Sequence, residues 1–266
     1  MNSLIWCCKY KVKSNKKCFL LRTFASSKTK YTVDEQLLSV KNIITMCNQP
    51  HISKSFASLH PDAFDAVIVA GGDFPTHHVP LAVMERARML VACDSAGEEL
   101  VRRGYKPTAI VGDCDSMSAE FRAAHADIIY KVEEQDYNDL TKATRFCTER
   151  GCSRIAYVGA TGKREDHTLG NISLLDFYSR ELYVDALMLT DYGVFIPAAG
   201  ETAIRTFAGQ QISIFNLSCT QIDGDGLRWQ PYAFSALWQG TLNEALGESV
   251  TLRGDGNYIV YAAYKL

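Results

Sequence analysis

Nothing in this sequence is apolar for the roughly 20 residues that crossing a bilayer requires, so no membrane partner is expected. The motif CxxC is missing too. Nine cysteines stand at irregular spacing, and Cys147 and Cys152 have no His or Cys partners at zinc-ligand spacing. An odd, unpatterned set predicts free thiols in a reducing, cytoplasmic setting, each acting as a small buried hydrophobe. There is no Walker A loop and no GxGxxG turn; GATGK (159–163) is too short for the first. The first 30 residues hold no acid while carrying eight Lys or Arg. Since the formal net charge of the whole chain is −2, the remainder carries −10. So acidic a body argues against a nucleic-acid surface, which needs clustered cations, and points to small molecules or metal-complexed anions.

The basic head has three readings. It resembles a transit peptide in being basic, acid-free and rich in Ser and Thr near its end. It also reads as a disordered basic arm, or as sequence upstream of a true start at Met46. Disorder or an early start is preferred, because no periodic pattern appears before about residue 60. Residues 1–60 are therefore expected to stand outside the fold.

From Asp65 onward the chain alternates. DAVIVAGG (65–72), MLVACD (89–94), TAIVGD (108–113), DIIYKV (127–132), RIAYVGA (154–160) and DALMLT (185–190) are short apolar runs bounded by Gly, Asp or Thr. Segments with helical spacing separate them, the longest being HTLGNISLLDFYSREL (167–182). This predicts βαβ units and a parallel sheet over 61–195, an α/β nucleotide-binding domain. After about residue 195 the segments become short, alternating and turn-punctuated. Residues 196–266 are expected to form an antiparallel β-sandwich, with a hairpin turn at Asp255-Gly256.

In an open parallel sheet, ligands bind beyond the carboxyl ends of the strands. Asp94 closes one strand, Asp113 and Asp115 follow the next, and GATGKREDH follows the fifth; Asp139 opens the helix after the fourth. Any one of these aspartates alone is more often a cap or turn residue. Together they crowd like charges that raise one another's pKa unless a cation holds them. A hard divalent ion with oxygen ligands resolves that conflict, and Mg²⁺ usually brings phosphates with it. Asp113 and Asp115, two apart in an extended segment, would face the same way. Lys142, three residues after Asp139, and Arg164, in the glycine-containing loop, are candidates to meet phosphate.

The ordered series ACDSAG, IVGDCDS, QDYNDLTKA, VGATGKREDHTLGN, GLRW and GTLNEA resembles the thiamine pyrophosphokinase family, from about Asp65 to the C-terminus. The resemblance implies an α/β nucleotide-binding domain joined to a β-sandwich in a homodimer, with the thiamine site near the subunit interface. It implies transfer of the pyrophosphoryl group of ATP to the hydroxyl of thiamine, giving thiamine diphosphate and AMP. Asp113, Asp115 and Asp139 would form the magnesium and phosphate cluster, with Asp94 beside it. Arg164, Asp166, His167 and Asn171 would complete the ATP motif. Trp229 matches the aromatic residue that stacks on thiamine, a flat cation that suits an indole face. Asn243 and Glu244 match a segment near that site. Two positions depart from the family: Leu242 stands where Ser is usual, and Ser95 where Gly is usual. The rival expectations are a DxD nucleotide-sugar transferase, which gives no reason for GATGKREDH, and a non-catalytic nucleotide or thiamine sensor, which would have lost its carboxylates.

Overall fold

Gly and Asp end the apolar runs where the chain turns in the computed structural model, which describes residues 63–264. The basic head and its three readings lie outside the described residues. Six short strands, β1 (Ala66–Val69), β2 (Leu90–Cys93), β3 (Ala109–Gly112), β4 (Ile129–Lys131), β5 (Arg154–Val158) and β6 (Asp185–Leu189), pair in parallel. Their order across the sheet is β4-β3-β2-β1-β5-β6. Between them run α1 (His78–Glu85), α2 (Ala96–Arg102), α3 (Ala119–Ala124), α4 (Asp139–Thr148) and α5 (Glu165–Glu181).

Strand residues alternate between two apolar clusters, as a period of two requires. Val67, Val69, Leu90, Ala92, Ile110, Ala156 and Val158 face one way, with Val83 of α1 and Leu100 of α2. Ala66, Ile68, Val91, Cys93, Val111, Ile155 and Tyr157 face the other, with Leu140 and Phe146 of α4 and Leu175 and Tyr178 of α5. Both faces are covered, which is why these runs read as continuously apolar. Cys93, Cys114, Cys147, Cys152 and Cys219 are free and buried, matching the expected small hydrophobes.

The antiparallel strands β7 (Gly193–Arg205), β8 (Gln211–Asn216), β9 (Ile222–Asp225), β10 (Asn243–Glu244) and β11 (Ser249–Ala263) come next in the chain. They begin slightly earlier than expected. A tight turn, in which the Gly193 amide donates to the Thr190 hydroxyl, returns the chain along β6. Through that pairing the parallel and antiparallel strands form one hydrogen-bonded sheet. One apolar cluster runs from Val67 through Val194 and Ile204 to Leu252, Tyr258 and Val260.

The hairpin expected at Asp255-Gly256 does not form. β11 passes through these residues as one strand of 15. Gly254 faces Gly200 and Asn257 faces Ala199, so Asp255 and Gly256 are extra residues in a bulge. The Asp255 carboxylate accepts the Thr220 and Gln221 amides at 2.8 and 2.9 Å. A Cβ at Gly256 would stand 2.7 Å from Ser218. The turn residues bend the strand rather than reverse it, because β7 is long enough to pair with both halves. On the other edge β11 changes partner at the bulge, from β9 to β8.

Candidate active site

β2 and β3 end side by side and deliver the acidic residues. Asp94 leaves β2 with a left-handed φ of 44°. Its amide donates to Val111 O at 3.0 Å, and its carbonyl accepts the Gly97 amide at 2.9 Å. A Cβ at position 112 would lie 2.9 Å from Asp94 Cβ, so only glycine lets the two strand ends approach this closely. β3 stops at Gly112, and Cys114 takes a φ of 66°. Asp113 and Asp115 are therefore brought together by a turn, not by the extended segment expected from the sequence.

One carboxylate oxygen from each of Asp94, Asp113 and Asp115 lies within 4.8 Å of the others. The Gln135 amide donates to Asp113 Oδ2 at 3.3 Å and holds that carboxyl below its ordinary pKa. The Asp113 charge pushes Asp115 above it. Asp94 is buried, its Oδ2 accepts the Ser116 hydroxyl, and its Oδ1 has no hydrogen-bond partner among the described residues. An orphaned buried carboxylate oxygen beside two more carboxylates is costly by itself. All-oxygen anionic donors are what Mg²⁺ takes, so the residues present fit that ion.

Asp139 stands next to this group rather than within it. It is the first residue of α4, and the cap expected of it is supplied by Asn138, whose Oδ1 accepts the Thr141 amide at 3.0 Å. Burial lifts the Asp139 carboxyl above its usual range, while Lys142 opposes the shift. Lys142 Nζ lies 3.1 Å from Asp139 Oδ1, with its side chain only 3% exposed. A surface pair is thereby excluded for Lys142.

The loop after β5 is shaped by three left-handed residues, Gly159, Gly162 and Lys163. It is tied to the loop after β1, since the Gly72 amide donates to Gly159 O at 2.7 Å and the Asp73 amide to Thr161 O at 2.8 Å. Arg164 precedes α5 and grips Asp166, Nε to Oδ1 at 3.1 Å, so the Asp166 carboxyl is pulled down to about 2. The His167 amide donates to the same oxygen at 3.0 Å, and its side chain is exposed. Asn171 ties the loop to the start of α4. Its Nδ2 donates to Ala160 O at 2.8 Å, and its Oδ1 accepts from Asn138 Nδ2 at 3.4 Å.

A cleft of about 570 Å³ opens at the same edge, lined among others by Gly71, Gly72, Phe74, Ser95, Arg103 and Lys163. Lys163 Nζ donates to Gly71 O at 2.8 Å, and the Arg103 guanidinium lies 4.0 Å from the Phe74 ring centroid. The cleft sits beside β1, where the strand order reverses, which is where open α/β sheets bind ligands. The sequence presents DAVIVAGG (65–72) only as a strand and its end. Its adjacent glycines after an apolar run were the available signal. Ser116 and Gln135 carried no such signal, because their role depends on contacts across 22 residues of chain.

Trp229, in the loop after β9, and Asn243 and Glu244 of β10 form a separate group in the antiparallel half. Trp229 is 56% exposed, so it is not core. Buried Asn243 accepts the Trp229 amide at 3.1 Å and the Glu244 amide at 2.8 Å, and donates to Trp229 O at 2.7 Å. Glu244 pairs with Arg228 at 2.9 Å. Leu242 is exposed and left-handed at φ 63°, with its amide donating to Ser213 Oγ at 3.3 Å. Asn243→Ala leaves the part-buried amides of Trp229 and Glu244 and the Trp229 carbonyl without their partner and is expected to cost about 1–3 kcal/mol of stability. Urea unfolding measures this, and a loss below about 0.5 kcal/mol would show the amide to be idle.

Two family models match: the thiamin pyrophosphokinase catalytic domain over residues 81–184 and its substrate-binding domain over 193–261. Thiamine pyrophosphokinase 1 of Oryza sativa subsp. japonica is 28% identical, covering 76% of this chain and 90% of its own length. Thiamine pyrophosphokinase of Bacillus subtilis (strain 168) is 34% identical over 41% of this chain and 52% of its own. Among solved structures, thiamin pyrophosphokinase from Candida albicans superposes with a TM-score of 0.67 at 16% identity, covering 82% of this chain and 95% of that one. Thiamine pyrophosphokinase from Bacillus subtilis gives 0.63 at 22%, over 76% and 99%. The two family models meet the chain on either side of the β6–β7 turn, in the order of its parallel and antiparallel strands, and the chain belongs to the thiamine pyrophosphokinase family.

Proposed function

We propose that the three-carboxylate cluster is the metal and phosphate centre of a thiamine diphosphokinase. Family membership makes the chain an enzyme that moves the pyrophosphoryl group of ATP onto the hydroxyl of thiamine, giving thiamine diphosphate and AMP. The observation that carries the site reading is the buried, unpartnered Oδ1 of Asp94 beside Asp113 and Asp115. Mg²⁺ held there would neutralise triphosphate charge and polarise the transferred group.

The residues of the chain supply the rest. Lys142, buried and fixed on Asp139, offers a cation that needs no side-chain ordering on binding. Arg164, released from Asp166, offers its planar donors to phosphate oxygens. In the transfer, the thiamine oxygen forms a bond to the β-phosphorus while the bond from that phosphorus to the α,β-bridging oxygen breaks and AMP departs. Asp139 is our candidate to take the hydroxyl proton, since burial has already raised its proton affinity. His167, exposed at the start of α5, is the alternative acceptor.

Residues 61–195 then serve as the ATP-binding domain and 196–266 as the thiamine-binding β-sandwich, with Trp229 as the stacking face. Exposed Trp229, Tyr232, Leu237 and Trp238 support a homodimer with thiamine bound near its interface. The five free thiols among the described residues suit the cytoplasm.

Incubation with MgATP and thiamine is expected to release AMP and thiamine diphosphate, and EDTA to stop the release. Thiamine binding without AMP would favour a sensor, and turnover of sugar nucleotides a DxD transferase. Metal binding displaces the proton that Asp115 holds with raised affinity, so Mn²⁺ affinity is expected to fall steadily as solution is acidified. A pH-independent affinity would remove Asp115 from the ligand set.

A further inference from the structure

Asp94 is the member of the cluster with least freedom. Its backbone is tied at both ends, its φ is left-handed, and Gly112 packs against its Cβ. Its carboxylate is nevertheless able to turn about the side-chain torsions, and the charges of Asp113 and Asp115 push it away from the cluster. One contact opposes that. The hydroxyl of Ser116 donates to Asp94 Oδ2, bridging from the loop after β3 to the end of β2. Ser116 is itself exposed, and it comes directly after Asp115.

We propose that Ser116 is a positioning residue for the metal cluster, holding the Asp94 carboxylate where it meets Asp113 and Asp115. The inference rests on reading the cluster as a metal site. Ser116 is not needed as a ligand. Its hydroxyl occupies one Asp94 oxygen, so that Oδ1, buried and without a partner among the described residues, remains for an ion. The same bond couples two loops that would otherwise carry their carboxylates independently. Outer hydrogen bonds of this kind fix the orientation of ligating carboxylates, and their loss weakens metal affinity about 10- to 100-fold.

The test is Mn²⁺ binding to the purified full chain, followed by the electron paramagnetic resonance of free Mn²⁺, beside thermal unfolding and kinetics. Ser116→Ala is expected to raise the Mn²⁺ dissociation constant about tenfold or more and, because it leaves Asp94 Oδ2 without its donor, to lower the melting temperature by about 2–4 °C while the protein still folds. Ser116→Thr, which keeps the hydroxyl, is expected to return it to within about threefold of the parent. In turnover, the Mg²⁺ concentration needed for half-maximal rate rises by the same factor, while KM for thiamine stays put. Should Ser116→Ala fail to fold, Ser116→Cys keeps the size, weakens the donor and is read in the same way.

Mn²⁺ affinity within about twofold of the parent in the alanine variant overturns the proposal. So does a loss that threonine fails to restore. Asp113→Asn separates the two levels of the argument. If it abolishes Mn²⁺ binding while Ser116→Ala does not weaken it, only the role of Ser116 fails. If the parent protein itself binds no Mn²⁺, or Asp113→Asn binds it as tightly as the parent, the metal reading fails and takes Ser116 with it.

Discussion

Asp113→Asn is expected to lower kcat by at least about 100-fold, the scale on which removing one strong electrostatic contact to a transition state acts. The side chain keeps its size, and its amide can still meet Gln135, so the fold should hold. What is lost is a negative charge from a group of three. In the ion-free protein the substitution relieves repulsion on Asp115, whose proton affinity Asp113 raises. Melting temperature without metal should therefore stay level or rise. The increment that Mg²⁺ gives the parent by binding the folded state should vanish. Steady-state AMP release and a thermal scan with and without Mg²⁺ check both halves. Survival of turnover to within about tenfold would remove the cluster from the chemistry.

Trp229→Ala is expected to raise KM for thiamine about 10- to 30-fold, corresponding to the upper end of cation–π attraction to an indole face, about 2 kcal/mol. Because the ring is more than half exposed, its removal leaves no cavity, and stability should change by under about 0.5 kcal/mol. Trp229→Phe should recover part of the affinity. The KM for ATP should not move, since Trp229 and the acidic residues belong to separate groups of the structure. A tryptophan whose removal lowers stability and leaves thiamine KM alone would be a packing residue, and the substrate face would lie elsewhere.

The parallel half was legible because five of its six strands are buried on both faces and stand out as unbroken apolar sequence, most of them ending in Gly or Asp; the edge strand β4, with Tyr130 and Lys131 exposed, is the exception. Asp94, Asp113 and Asp115 were legible for the same reason: a charge directly after such a run has to sit at the sheet edge. The antiparallel half was less so. Asp255-Gly256 carries hairpin chemistry, and only the length of β7, far away in sequence, decides that the chain bends there instead of reversing. The pleat of an extended chain would put Asp113 and Asp115 on one face, yet Cys114 in a left-handed conformation is what brings them together. Local residues announce that a strand ends; they do not announce the dihedral angles of the loop beyond it. Lys142 shows a further limit, since its burial depends on packing around α4 and cannot be read from its spacing to Asp139.

The apolar cluster running from Val67 to Val260 has no seam between the half assigned to ATP and the half assigned to thiamine. The parallel half keeps a second cluster of its own against α4 and α5, but the antiparallel half has no interior apart from the shared one, so it is not expected to outlast the parallel half under heat or urea. Whatever ligand tightens one end lends its binding energy to the integrity of the other, and a protease kept out by nucleotide at the carboxylates would find the indole end closed as well.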